Sequence, residues 1–157
     1  MKKKNIAVIS LTCATAVAGI GYGIYTKSRP VDFGEIIIDG IPEKPEDALR
    51  IMSFNLRYND DKAGKVHDRS KIAAAIIRQY APDSFGTQEA TGKWMDTLTE
   101  KLDDMYASVA TPRDNQGYTS ERCAVFYLKD KYNLIDSGTI WLSETPDTPS
   151  YGWGSAY

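Results

Sequence analysis

The chain has 157 residues, 42% of them hydrophobic and 25% charged, with a formal net charge of −2. This is an ordinary globular composition, not a disordered one, and it is long enough for one domain with a real core. The acidic balance argues against general nucleic-acid affinity through a basic surface, and a single histidine leaves little material for a multi-imidazole zinc site or a Ser/His/Asp triad.

At the N-terminus, Lys2, Lys3 and Lys4 precede an uncharged stretch from Asn5 to Thr26, and Lys27 and Arg29 follow it. About 20 uncharged residues span a bilayer as a helix, and a basic leader suits a secretory signal or an uncleaved anchor. Residues 1–26 are therefore expected to form a signal or transmembrane helix, with residues 6–25 in the membrane. The leading lysines then place the rest of the chain outside the cytoplasm, either tethered or secreted. Cys13 lies in this segment, far from Cys123, which argues against a disulfide between them.

Residues 27–48 carry three prolines, two glycines and many charges. They read as a linker, with "EIIID" as a short strand at most. From Leu49 the pattern changes. Leu49 to Leu56 reads as a strand with Leu49, Ile51, Ser53 and Asn55 on one face and Met52, Phe54 and Leu56 on the other. Both faces are largely apolar, as expected of a strand covered on both sides. Asp68 or Ser70 can cap a helix through Ile72, Ala73, Ile76, Ile77 and Tyr80, which Pro82 ends. "DSFGTQE", residues 83–89, reads as a second strand, and Thr91 to Leu102 as a second amphipathic helix. Tyr106 to Val109, Cys123 to Leu128 and Tyr132 to Leu142 follow as strands. The layout is α/β.

Asn55 is out of place in a strand built only for burial, because an amide there must find partners or cost a few kcal/mol. Asn55 and Glu89 both sit at the C-terminal end of a strand, where functional groups collect in open α/β sheets. A carboxylate at that edge suits a hard divalent cation with oxygen ligands. Taken alone, such residues also serve as ordinary caps and loop pins.

Three segments in order sharpen the reading: "LRIMSFNLRYND", then "DRSKIAAAIIRQYAPDSFGTQEA", then "ERCAVFYLKDKYNLIDSGTIWLSETPDTPS". Together they resemble the endonuclease/exonuclease/phosphatase superfamily with the DNase-I-like fold, from about Leu49 to Gly154. The resemblance implies a four-layer α/β/β/α sandwich, of which residues 49–157 would be a truncated domain holding the first sheet and its helices. It also implies hydrolysis of phosphodiester or phosphomonoester bonds, with Mg²⁺ or Mn²⁺ as cofactor. By position, Asn55 matches an asparagine that orients the phosphate, and Glu89 matches the metal-ligating glutamate. Arg57 and Glu121 fall at positions often near the site in similar sequences. His67 does not match the family's catalytic histidine, and reads as a loop or surface residue. Trp141 and Trp153 read as packing residues.

The same resemblance leads one to expect motifs that do not occur here, among them "THL", "GDFN" and a second histidine. The chain is accordingly expected to be inactive by itself, with the face carrying Leu49 and Ile51 left uncovered where the C-terminal half of the domain would pack. A competing expectation is a non-catalytic, membrane-tethered module that uses this face to bind a partner. A further alternative is an unrelated α/β binding domain on a stalk.

Overall fold

The computed structural model describes residues 4–12, 37–59 and 65–155. Its elements are strand β1 (Lys4–Thr12), strand β2 (Ile51–Asn55), helix α1 (Val66–Tyr80), strand β3 (Ser84–Gln88) and helix α2 (Gly92–Leu102). Strands β4 (Tyr106–Val109), β5 (Val125–Leu128) and β6 (Tyr132–Trp141) complete it, with one 3-10 turn at Gly117–Thr119.

Four strands form a mixed sheet in the order β2-β3-β5-β4. β2 runs parallel to β3, with Ile51 opposite Ser84 and Asn55 opposite Gln88. A parallel pair needs a crossover connection, and α1 supplies it. β5 lies antiparallel to both β3 and β4.

The helices cover one face of this sheet. The period-2 alternation of β3 sends Phe85 and Thr87 under the helices, where both are buried. From α1 come Ala73, Ala74 and Ile77, and from α2 come Trp94, Leu98 and Leu102, all buried at helical spacing. Phe85 stacks on Phe126 at 4.6 Å between ring centroids and meets the edge of Tyr106 at 5.2 Å. Each such aromatic pair is worth about 0.5–1.5 kcal/mol beyond the area it buries. Met52 and Phe54 pack against the same core.

The opposite face of β2 is bare. Leu49 is 62% exposed and Ile51 66%, so the apolar pattern on both faces of this strand holds while the cover on the second face does not. The uncovered face carries Asn55 at its end.

Four expectations from the sequence need correction. Helix α1 begins at Val66, ahead of the cap expected at Asp68 or Ser70, and its N-cap Lys65 makes no side-chain cap bond. Val66 is fully buried, so packing starts the helix where capping chemistry does not. His67 consequently lies in the first turn of α1 and not in a loop, though it is exposed, as expected of a surface residue. Trp153 is 71% exposed and packs little. The segment 37–48 is not a loose linker: Lys44 pairs with Asp83 at 2.5 Å, Ile38 N donates to Gln79 Oε1, and Arg50 reaches the Pro42 carbonyl.

The expected N-terminal helix also differs. Lys4–Thr12 is a strand, paired parallel to β6 with Val8 opposite Ser137. β-Branched residues recur through "NIAVISLT", and the backbone edge of β6 offers the donors and acceptors that such a segment can pair with. Among the described residues no helix is long and apolar enough to cross a membrane. Residues 13–36, which hold the rest of the proposed signal or anchor and of the linker, lie outside the described residues. Within the described part of "EIIID", residues 37–39 form no strand.

Candidate active site

The ends of the parallel strands β2 and β3 lie side by side, and each continues into a backbone turn of unusual hand. Glu89 has φ 59°, Arg57 φ 59° and Tyr58 φ 39°. A non-glycine residue held at positive φ costs on the order of 1–3 kcal/mol, and such residues cluster where geometry serves function. Here the turn at Glu89 swings its side chain out of the strand alternation and toward β2. Asn55 Nδ2 donates to Glu89 Oε1 at 2.8 Å.

The amide of Asn55 is oriented from its other end as well. Its Oδ1 accepts from Arg57 N at 2.8 Å, so the NH₂ group is left to face the carboxylate. Leu56 N donates to the Gln88 carbonyl at 3.0 Å, continuing the pairing one step past β2. Thr91 Oγ1 donates to Asn59 Oδ1 at 2.8 Å and ties the two loops together further out.

Glu121 approaches from a third direction. It immediately precedes an isolated bridge between Ala90 and Arg122, which brings it within electrostatic reach of Glu89. Burial pushes the Glu121 carboxyl up from its usual range; Arg113 works against this, and the Glu89 charge adds to it. Arg113 Nη1 donates to Glu121 Oε2 at 2.8 Å, and Trp141 Nε1 donates to the Arg113 carbonyl at 2.6 Å. Trp141 thus supports this loop through a specific bond as well as by packing.

Of the four residues picked from the sequence, Asn55 and Glu89 are in direct contact and Glu121 stands beside them. Arg57 contributes its backbone N–H to the arrangement while its side chain is exposed. Three supporting residues escaped the sequence reading: Arg69, Trp94 and Arg113. Arg69 and Trp94 look like ordinary members of amphipathic helices, and their polar contacts depend on where the loop after β2 passes.

For a hard cation, Glu89 offers the oxygen chemistry that fits. One of its oxygens is held by Asn55, and Oε2 has no hydrogen-bond partner among the described residues. Among the described residues no group of three or more His, Cys, Asp or Glu side chains converges. The fit is that of one protein ligand in a site completed by water and substrate oxygens, a habit of Mg²⁺.

No protein-family model matches the sequence, and no curated protein does. Solved structures do. The chain is similar to an endonuclease/exonuclease/phosphatase family protein from Bacteroides thetaiotaomicron, at 32% identity with a TM-score of 0.64 over 69% of this chain and 41% of that one. A family protein from Bacteroides vulgatus gives 30% identity and a TM-score of 0.64, over 69% of this chain and 42% of its own. The mannosyl-6-phosphatase Bt3783 of Bacteroides thetaiotaomicron gives 32% and 0.64 with the same coverage. The chain therefore carries a partial endonuclease/exonuclease/phosphatase-like fold. It spans 41–42% of the length of these three structures.

Proposed function

We propose that Asn55 and Glu89 form part of a phosphoester-hydrolysing site, in which water attacks phosphorus of a phosphomonoester or phosphodiester. The observation that carries this reading is the 2.8 Å bond from Asn55 to Glu89 across the ends of β2 and β3, held between non-glycine turns of positive φ. A hydrolytic function for the phosphatase among the similar structures supports the reaction class.

Within such a site, each residue has work that its position permits. The Asn55 amide, locked by Arg57 N, holds one Glu89 oxygen and presents its remaining polarity to a phosphate oxygen without adding charge. Glu89 is the residue that would hold Mg²⁺ or Mn²⁺. Such a cation supplies charge neutralisation and polarisation of the phosphoryl group. Glu121, with its carboxyl raised by burial and paired to Arg113, adjusts the charge beside Glu89. The side chain of Arg57, at the open end of the strands, suits an approaching anionic substrate.

The bare face of β2, with Leu49 and Ile51 exposed, gives the reading a second part. Monomeric proteins rarely leave large contiguous apolar patches uncovered. The remaining layers of the sandwich, supplied by further polypeptide, are the cover that the similar folds suggest, and would bring further groups to the site. The same patch supports the competing reading, a non-catalytic module that binds a partner protein there. As for location, the basic residues on both sides of the uncharged segment support a membrane-tethered or secreted protein acting outside the cytoplasm.

The test is hydrolysis by the full-length protein that contains this domain. A sugar phosphate and a generic phosphodiester are offered with Mg²⁺ or Mn²⁺, to wild type and to Asn55→Ala. Turnover in wild type and a loss of about 10²-fold or more in the variant is expected, as for removal of one positioned donor. Equal turnover in both contradicts the assignment of Asn55, and no turnover on any phosphoester favours the binding module.

A further inference from the structure

In the loop that follows β2, Arg57 and Tyr58 have positive φ and are exposed, yet this turn sets the orientation of Asn55. What holds it comes from the helices behind it. Arg69, on the first turns of α1, donates through Nη1 to the Leu56 carbonyl at 2.6 Å and to the Arg57 carbonyl at 3.3 Å. Its Nη2 donates to the Tyr58 carbonyl at 2.9 Å. One guanidinium therefore receives three successive carbonyls, all from the stretch in which Arg57 and Tyr58 have positive φ.

The guanidinium is itself fixed. It lies 5.0 Å from the ring centroid of Trp94, in cation–π contact. The Trp94 Nε1–H donates to the same Tyr58 carbonyl at 2.7 Å, so α2 and α1 grip one oxygen together. Trp94 is buried, with 1% of its surface exposed, and cannot drift.

We infer that Arg69 is a positioning residue for the candidate active site: its three-carbonyl grip keeps the turn at Arg57–Tyr58, and so keeps the amide of Asn55 aimed at Glu89. The connection is continuous. Arg69 fixes the peptide planes on both sides of Arg57, the Arg57 N–H then meets Asn55 Oδ1, and Asn55 Nδ2 is left for Glu89. A planar fork with several fixed donors can span successive carbonyls; an ammonium on a flexible stem is a point charge and cannot hold the same geometry. The bonds of Arg69 to the loop run to the carbonyls of Leu56, Arg57 and Tyr58, so it acts on Asn55 through the backbone, and its role is positioning and not chemistry.

Arg69 matters to hydrolysis only if Asn55 and Glu89 act as proposed above, so the test has two readouts that separate the questions. The first is amide hydrogen exchange in the 157-residue chain, comparing wild type with Arg69→Lys. Exchange at the Arg57 N–H is expected to quicken at least about tenfold, with the core amides of β3 unchanged, as for a local opening. Unchanged exchange at Arg57 overturns the inference. Should Arg69→Lys also expose the β3 amides, Trp94→Phe decides: it keeps an aromatic ring in the core but removes the second donor to Tyr58, and the same local quickening is expected, with no change again contrary.

The second readout is kinetic, on the full-length protein and the phosphoester that it turns over. Arg69→Lys is expected to lower kcat about 10–100-fold with KM nearly kept, the mark of misplacement, not of lost binding. In an Asn55→Ala background the same change should add almost nothing, because the group it positions is gone. Independent, multiplying losses overturn the link through Asn55. If wild type hydrolyses no phosphoester, the functional proposal fails by itself, and the exchange result still decides what Arg69 holds.

Discussion

Asp83 and Lys131 meet at 2.5 Å at the start of β3, with the aspartate only 1% exposed. Lys44 reaches the other oxygen, Oδ2, at 2.5 Å, where Arg50 N also donates, and the Tyr132 hydroxyl donates to Oδ1 beside Lys131. The group thus gathers the docked segment before β2, the start of β3 and the start of β6 on one carboxylate. It lies at the opposite end of β3 from Glu89, which makes it an anchor for the sheet and not a part of the site.

Removing that anchor takes the acceptor from the buried Tyr132 hydroxyl and from the part-buried Arg50 N, Lys44 and Lys131. Asp83→Ala is expected to cost roughly 1–3 kcal/mol, the usual penalty for donors left without their partner. Chemical denaturation with and without the substitution measures it, and a loss under about 1 kcal/mol would contradict the anchoring role. The pH dependence has a definite sign. Burial works to raise the Asp83 carboxyl, but the bonds from Arg50, Lys131, Lys44 and Tyr132 outweigh it and hold the carboxyl well below its usual range. Its contribution is therefore complete above the unfolded value near 3.8 and is lost as pH falls toward the folded value. An acid-unfolding curve whose low-pH limb is unchanged in Asp83→Ala would count against this.

Exposure of Leu49 and Ile51 has a consequence for the domain as an isolated piece. Residues 49–157 alone are expected to be marginally stable and to self-associate at micromolar concentration. Sedimentation should show mass above the monomer, and Ile51→Lys, on the bare face, should return it toward the monomer with little loss of stability. A sharp thermal transition with a monomeric profile in the unaltered piece would contradict the reading of this face as one made for covering.

Pairing of Lys4–Thr12 with β6 can be probed where side chains are not at issue. Val8→Pro removes one N–H and cannot sit within a paired strand. Amide exchange around Ser137 in β6 should then quicken, while β3 and β5 hold. No change at β6 would show that the strand is not what protects it. The same nine residues cannot both pair with β6 and continue as a membrane-spanning helix, so this experiment also bears on how the N-terminal segment is used.

Much of the architecture was legible from local pattern. Ile72, Ala73, Ile76 and Ile77 recur at helical spacing, and the structure has α1 there; the alternation in Ile51–Asn55 assigned faces that the structure keeps. What pattern could not give was the packing beyond it. The start of α1 depends on the burial of Val66, which no capping rule reports. Hydropathy reads the N-terminal segment as a helix, but it pairs with a strand edge 128–129 residues away in a register no periodicity encodes. At the candidate site, Asn55 and Glu89 were readable because a polar residue ending an apolar strand is conspicuous. Arg69 and Trp94 were not, because their contacts are to backbone carbonyls of a loop, and a carbonyl leaves no mark in the sequence.

The measurement that bears most directly on the central claim is phosphoester hydrolysis by the full-length protein carrying Glu89→Gln, in Mg²⁺ or Mn²⁺. Glutamine keeps the size of the side chain and can still accept from Asn55, so the fold and the 2.8 Å contact are spared while the charge is lost. The account predicts a fall in kcat of about 10³-fold or more, with thermal stability held within roughly 1 kcal/mol of wild type. Turnover within about threefold of wild type, well under the tenfold that 1.4 kcal/mol represents, would contradict the assignment of Glu89 and with it the site.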